Sequence, residues 1–161
     1  MKNIKLLYQF SMVILILITS QKMHAVDVWP GGSGTAYNFH NLELQIGHSV
    51  EPSGSAWHAG QNRLYIASDE GDLLELDING NLTNHWYLAP DLINLVNNSD
   101  LEGVTIINND IPMIYLGVEG ANSIVEFDID SGTLTGKSWD LKSWMGSSTS
   151  TGLEALTFVP N

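Results

Sequence analysis

The chain has no cysteine among its 161 residues, so disulfides contribute nothing to its stability. Basic side chains are also scarce: the chain has 6 Lys and Arg but 18 Asp and Glu, which gives a formal net charge of −12. A surface of this charge repels nucleic acid and anionic lipid, and we expect neither as a partner. Stability must therefore come from a packed core or from a bound ion.

The first residues have the pattern of a secretory signal. Lys2 and Lys5 precede the apolar run MVILILITS, which is too short to span a bilayer comfortably. We expect residues 1–25 to be a signal peptide that is cleaved after Ala25; an uncleaved anchor is the alternative. The mature protein is then predicted to be secreted or periplasmic, with no membrane association after the signal is removed.

Two long segments and a shorter third one resemble one another at a spacing of about fifty residues, which indicates an internal repeat. They begin at Glu51, Ser99 and Ser150. Equivalent positions are Ser53, Glu102 and Glu154; Trp57, Ile106 and Phe158; Tyr65 and Tyr115; Glu70 and Glu119; and Asp77 and Asp128.

Each long segment contains four short runs with the period of β-strands, separated by turn residues. The runs are SGSAWHA, RLYIASD, LLELDI and NHWYL in the first, and EGVTIIN, MIYLGVE, SIVEFDI and KSWDL in the second. Four antiparallel strands per forty to fifty residues are typical of a β-propeller blade. We therefore predict an all-β fold over residues 51–161, with about two propeller blades and the first strand of a third. Residues 26–50 are predicted to be a linker with a candidate closing strand.

The segment between the predicted blades, PDLINLVNNSD, breaks the strand pattern and is expected to form a turn of helix after Pro90. Propellers close with about four to eight blades, so two units predict a fragment of a longer protein. A short chain that completes its ring by oligomerising is one alternative. A solenoid of hairpins is the structural alternative to a propeller.

Acidic residues at strand ends are the candidate site. Glu102 and Glu154 stand at the start of predicted innermost strands, and Glu70 and Glu119 lie beside glycines at the ends of second strands. Asp69 and Asp100 lie next to these positions, and the candidate ligands are Glu70, Glu102, Glu119, Glu154 and Asp69. Carboxylates at a channel mouth are suited to a hard cation such as Ca²⁺. We predict that Glu102 and Glu154 face the channel, and that these five residues are the candidate ligands for Ca²⁺ or a small ligand. Solvated turn residues are the alternative, and turn chemistry is the better explanation for Asp77, Asp128 and Asp130.

No pattern of catalytic residues is present. The histidines form neither HxH nor HExxH, which gives a zinc site little support, and no G-x-S-x-G motif follows a strand. Catalytic residues therefore stay unknown. We expect His58 and His85 on strand surfaces, and Trp57, Trp86 and Trp139 in core or blade-to-blade packing.

At EPSGSAW, LYIASDEGDLLELDINGN, DLEGVTI and TGLEALTF the chain resembles the SdiA-regulated family of bacterial β-propellers and the related propeller group with esterase-like activity of phytase. This resemblance implies an exported six-bladed type of propeller that continues beyond Asn161, with a divalent cation held by acidic residues, here Glu102 and Glu154. Two residues depart from the pattern: Ser53, where the later units have Glu, and Val118 before Glu119.

Three functions are consistent with these features. The first is an exported, non-enzymatic propeller that binds a cation or a small-molecule ligand at its channel face. The second is a metal-dependent phosphoesterase or ester hydrolase, in which carboxylate-held cations activate water. Against it, the mature chain has few basic residues to hold a phosphate. The third is a surface adhesion protein, in which the carboxylates serve only solubility.

Overall fold

The computed structural model describes residues 39–145 and 152–160. Eight strands form two four-stranded antiparallel sheets, and strands that are consecutive in the chain are neighbours in each sheet. The first sheet consists of β1 (Pro52–His58), β2 (Arg63–Ser68), β3 (Asp72–Leu76) and β4 (Leu82–Tyr87), and the second of β5 (Leu101–Thr105), β6 (Met113–Val118), β7 (Ser123–Asp128) and β8 (Thr133–Asp140). The helices are α1 (His40–Ile46), α2 (Ala89–Val96) and α3 (Lys142–Met145).

The predicted signal peptide, residues 1–25, lies outside the described residues, and so do residues 26–38. Within residues 39–145 and 152–160, no helix has the length and apolar character needed to cross a bilayer.

The eight predicted strands are all present, but β8 begins at Thr133 rather than at Lys137. The hairpin turn before it is tight, because the Asp128 side chain accepts hydrogen bonds from the backbone N–H groups of Asp130 and Ser131. Pairing therefore starts at once, with Thr133 opposite Asp128. Asp77 binds the backbone of its own hairpin turn in the same way, so the structure gives Asp77 and Asp128 the turn role expected of them.

A helix occupies part of the 26–50 segment for which a linker and a closing strand were expected. In α1, Leu42 and Ile46 are four residues apart and share one face, which packs on Ile66 and Leu74 of the first sheet. The helix ends at Gly47, whose φ of 90° is the left-handed conformation that glycine adopts freely. The first sheet is therefore covered on this face.

The expected turn of helix after Pro90 is confirmed and extends to the two turns of α2. Pro90 lies in the first turn, where its missing N–H would have no helical partner, and Asn97 ends the helix with a φ of 63°. Leu92 is fully buried in the core between the sheets. Helix α2 thus connects the two sheets and contributes to the core that they share.

The main core lies between the two sheets. Trp86 of β4 packs edge-on against Phe127 of β7, with ring centroids 5.2 Å apart, as expected for a tryptophan between blades. Trp57 and Trp139 were expected in such packing too, but they are 43% and 44% exposed. In the second sheet Trp139 pairs with Ile124, on the face that points away from the first sheet, so the sheet-to-sheet core does not reach it.

The predicted first strand of a third blade is not a strand in the structure. Residues 152–160 are described but have no ladder hydrogen bonds, because among the described residues no strand lies beside them to pair with. The segment still packs on the second sheet through Leu153, which is 8% exposed and lies directly over Gly117.

Glycines bring the inner strands of the two sheets into backbone contact. A Cβ atom on Gly54 of β1 would lie 2.8 Å from the Cα atom of Gly103 in β5. A Cβ atom on Gly103 would in turn lie 2.8 Å from the backbone nitrogen of Leu156. The equivalent segments of the three repeat units, around Gly54, Gly103 and Leu156, therefore lie side by side in space.

We predict that Gly54→Ala lowers the free energy of unfolding by about 1–3 kcal/mol, because the added methyl group meets backbone that cannot rotate away. Urea unfolding of the full chain measures the change. Ser55→Ala, at the next and exposed position of β1, is the matched control and should change stability by less than about 0.5 kcal/mol. Equal stability of the two variants would show that the strands can separate at no cost.

Candidate metal centre

The candidate site is built on a β-bulge that recurs in both sheets. The β1–β2 register is irregular between Pro52 and Gly54, and the β5–β6 register is irregular between Leu101 and Gly103. The bulged residues are Ser53 and Glu102, which are also equivalent in the repeat. A bulge redirects the side chain of the extra residue, and this turns Ser53 and Glu102 out of the regular alternation of their strands.

Three carboxylates from the two sheets converge at this point. One oxygen each of Asp69, Asp100 and Glu102 lies within 4.8 Å of the other two. Asp69 follows β2 of the first sheet, whereas Asp100 and Glu102 flank the first residue of β5 in the second. The Ser53 hydroxyl donates a hydrogen bond to Asp69 Oδ1 and so orients that carboxylate. All three acids are half-buried, which makes their mutual repulsion stronger than it would be in open solvent.

The electrostatics of the cluster favour a bound proton or a bound cation. Burial, followed by the charges of Asp69, Asp100, Glu154 and Glu119, raises the pKa of Glu102 to about 7. Burial and contact with the Glu119 carboxyl raise the pKa of Asp100 to about 6. In addition, Asp100 Oδ1 is buried and has no hydrogen-bond partner among the described residues. Such an oxygen is costly unless something binds it.

The structure places the other predicted site residues around this cluster rather than in it. Glu154 is exposed, yet close enough to raise the pKa values of Asp100 and Glu102. Glu119 lies against Asp100 and accepts a hydrogen bond from Gly152 N–H at 3.3 Å. Burial acts to raise the pKa of Glu70, but hydrogen bonds from the Ser68 hydroxyl and from backbone N–H groups hold it below its usual value.

The two basic side chains of the blades are engaged elsewhere. Arg63 pairs with Glu75 at 3.2 Å, and Lys137 pairs with Glu126 at 2.8 Å. Glu75 and Glu126 are equivalent in the repeat, and each also accepts a hydrogen bond from the tyrosine opposite it, Tyr65 or Tyr115, at 3.1 Å. These two acids therefore form ion pairs and hydrogen bonds within their own sheets.

The expectation that His58 lies on a strand surface is wrong, whereas His85 of β4 is partly exposed. His58 is 1% exposed; its Nδ1 accepts a hydrogen bond from Gln61 N–H, so its Nε2 donates to the Ile111 carbonyl of the β5–β6 loop. His85 is half-buried and bonds the buried carboxylate of Asp72. The His58 ring is buried because the Ile111 carbonyl gives it a hydrogen-bond partner, and the His85 ring turns toward the buried carboxylate of Asp72.

No protein-family model and no curated protein matches the sequence. Solved structures do match. Sqt1 from Saccharomyces cerevisiae covers 73% of this chain at 12% identity and a TM-score of 0.52, and hydrazine synthase from Kuenenia stuttgartiensis covers 80% at 11% identity and a TM-score of 0.50. The β-propeller domain of Cps50 (Swd1) from Myceliophteria thermophila covers 68% at 6% identity and a TM-score of 0.47.

The chain has a β-propeller fold. Its two sheets are two blades of an incomplete propeller, with β1 and β5 as their inner strands. The chain spans about 30% of the length of the matched structures. At these identities the likeness shows the fold alone, so the carboxylate cluster must be interpreted from its own geometry.

Without a cation, the protein is predicted to lose stability as the pH rises from about 4 to about 7. The folded-state pKa values, about 6 for Asp100 and about 7 for Glu102, exceed the ordinary values of 3.8 and 4.5. Protonated carboxyls therefore favour the folded state below the ordinary values, and this contribution is lost as the pH passes through the raised ones. The charged groups that face them are Asp69, Glu119 and Glu154.

Thermal unfolding in EDTA over this pH range measures the effect. The double variant Asp100→Asn/Glu102→Gln should show a flatter profile than the unsubstituted chain, because it lacks both titrating groups. If the two profiles have the same slope, the raised pKa values are not those of the folded protein.

Proposed function

We propose that the protein is an exported β-propeller that binds Ca²⁺ at the inner-strand ends of neighbouring blades, through Asp69, Asp100 and Glu102. The observation that carries the proposal is the convergence of three carboxylates from two blades, which include a buried oxygen without a partner. The five predicted residues contribute in two ways: Asp69 and Glu102 as ligands, and Glu70, Glu119 and Glu154 as surrounding negative charge.

The carboxylates are close enough together to share one Ca²⁺ ion. Ca²⁺ takes 6–8 oxygen ligands at about 2.3–2.6 Å, so two oxygens on opposite sides of the ion are about 4.8 Å apart. The cluster oxygens lie within 4.8 Å of one another, and half-burial leaves room for water in the remaining positions. The ion would replace the repulsion among the acids by attraction, and it would give Asp100 Oδ1 its missing partner.

An exported location and the likeness to SdiA-regulated and phytase-like propellers belong to the same proposal. Extracellular calcium modules work with dissociation constants of about 10⁻⁴–10⁻³ M, so a partly exposed site is adequate outside the cell. Hydrolysis of a phosphoester would need groups to hold the phosphate, but Arg63 and Lys137 are paired with glutamates, and Lys142 of α3 is the one other lysine or arginine among the described residues. We therefore propose binding as the function and leave catalysis out of it.

Thermal unfolding with increasing CaCl₂ tests calcium binding. With a dissociation constant of about 10⁻⁴ M, about 10 mM Ca²⁺ stabilises the folded state by about 2.7 kcal/mol, which corresponds to a rise in Tm of roughly 5 °C or more. Asp69→Asn/Glu102→Gln should abolish this rise, since it removes two of the three ligands.

The matched control is Asp91→Asn/Asp110→Asn, which removes the same charge from exposed positions on α2 and on the β5–β6 loop. It should keep the full calcium response. An equal loss in both double variants would mean that Ca²⁺ acts on net charge alone, and no response in the unsubstituted chain would contradict the proposal. In the same samples, turnover of chromogenic phosphate or acyl esters that stops on chelation would instead support the hydrolase.

A further inference from the structure

A second group of metal-ligating side chains lies on the first blade, outside the carboxylate cluster. Asp72, at the start of β3, is fully buried, and each of its carboxylate oxygens faces a histidine. His48 Nε2 lies 3.0 Å from Oδ2, and His85 Nε2 lies 2.6 Å from Oδ1. One ligand atom from each of the three residues lies within 4.8 Å of the others. His48, Asp72 and His85 are called the histidine triad below.

The second blade shows that the fold does not need this triad. When the two sheets are aligned by their strand pairings, the position of Asp72 is occupied by Ser123, and the position of His85 by Ser138. The second blade forms the same four-stranded sheet with these small neutral side chains. The charged and imidazole groups of the first blade are therefore an addition to the repeat, and burying the Asp72 carboxylate has a cost that the fold alone does not explain.

The donor set is that of a borderline divalent cation. Two imidazole nitrogens and one carboxylate oxygen are ligands that Zn²⁺ accepts, with bonds of about 2.0–2.2 Å and a tetrahedral arrangement that leaves the fourth position for water or a ligand. Tetrahedral ligand atoms then lie about 3.3 Å apart. The nitrogen-to-oxygen distances of 3.0 and 2.6 Å run to different oxygens of Asp72 and are shorter than this value, so both imidazoles would move outward to admit an ion.

Access and charge also favour an ion. The side chains of His48 and His85 are 41% and 23% exposed, so an ion can reach the triad from solvent, whereas Asp72 is held in place at 0%. The Glu70 carboxylate is close enough to His48 for the two to interact electrostatically, which adds negative charge beside the triad. His48 comes from the segment before β1, so an ion would also tie that segment to the sheet.

We propose that His48, Asp72 and His85 form a binding site for a divalent transition metal such as Zn²⁺, separate from the calcium site, with one coordination position open to an external ligand. The competing interpretation is a hydrogen-bonded clamp, in which the two imidazoles only neutralise the buried Asp72.

Calorimetric titration of the chelator-treated full chain with ZnCl₂ tests the proposal, together with Co²⁺ as a spectroscopic probe of tetrahedral geometry. Both are done on the Asp69→Asn/Glu102→Gln background, so that the carboxylate cluster does not contribute. We expect one Zn²⁺ per chain and the intense visible absorption of tetrahedral Co²⁺. His48→Gln and His85→Gln, which keep a hydrogen-bond donor for Asp72, should each weaken Zn²⁺ binding at least tenfold and remove the Co²⁺ absorption.

His40→Gln is the matched control, because it makes the same change at an exposed histidine of α1, and it should bind as the background does. Thermal unfolding verifies that each variant is folded. The proposal is overturned if no stoichiometric Zn²⁺ binds, or if binding survives His48→Gln/His85→Gln. A lower Tm of the metal-free histidine variants without any Zn²⁺ binding in the background would establish the clamp instead.

Discussion

Backbone contact between the two inner strands is the constraint on which the rest of the structure depends. Gly54 lets β1 and β5 approach so closely that a Cβ atom at its position would collide with the backbone of Glu102 and Gly103. This contact sets the distance between the sheets, and the core that contains Trp86 and Phe127 fills the space behind it. It also brings the bulged residues before the two glycines, Ser53 and Glu102, to the same end of the fold, so packing and the candidate site have a common cause.

The same contact places the carboxylates of Asp69, Asp100 and Glu102 close together in a partly buried position. Strands this close leave the acids beside them partly buried, and the pKa values of Asp100 and Glu102 rise because each carboxyl is removed from water next to others of like charge. Elsewhere the chain pairs its buried acids, as in Glu75 with Arg63 and Tyr65. A cluster without cationic partners, among described residues whose other buried acids are paired, is what we expect of a site that an ion completes.

Much of this arrangement follows from the sequence, because strand periodicity and turn residues are local signals. The repeat placed Ser53 and Glu102 at equivalent positions, and each is the bulged residue of its sheet. Asp69 directly follows β2. The convergence of Asp100 and Glu102 with Asp69 depends on how the two sheets approach each other, and the bulges depend on strand pairing within each sheet. Strand periodicity indicates neither of them. The Asp72–His85 pair spans 13 residues and follows no ligand spacing rule. It could have been found by comparing the units, since an acid and an imidazole stand where the second unit has serines.

A double-mutant cycle between Asp69 and Glu102 tests most directly whether carboxylates from the two blades interact at the ends of the inner strands. In EDTA at about pH 8, the account predicts that Asp69→Asn and Glu102→Gln each stabilise the chain. The double variant should gain less than the sum of the two, by at least about 0.5 kcal/mol, because both changes relieve the same repulsion. If the two changes in the free energy of unfolding are strictly additive, the account is contradicted. The two carboxylates would then not interact, and the two blades would not form a shared site.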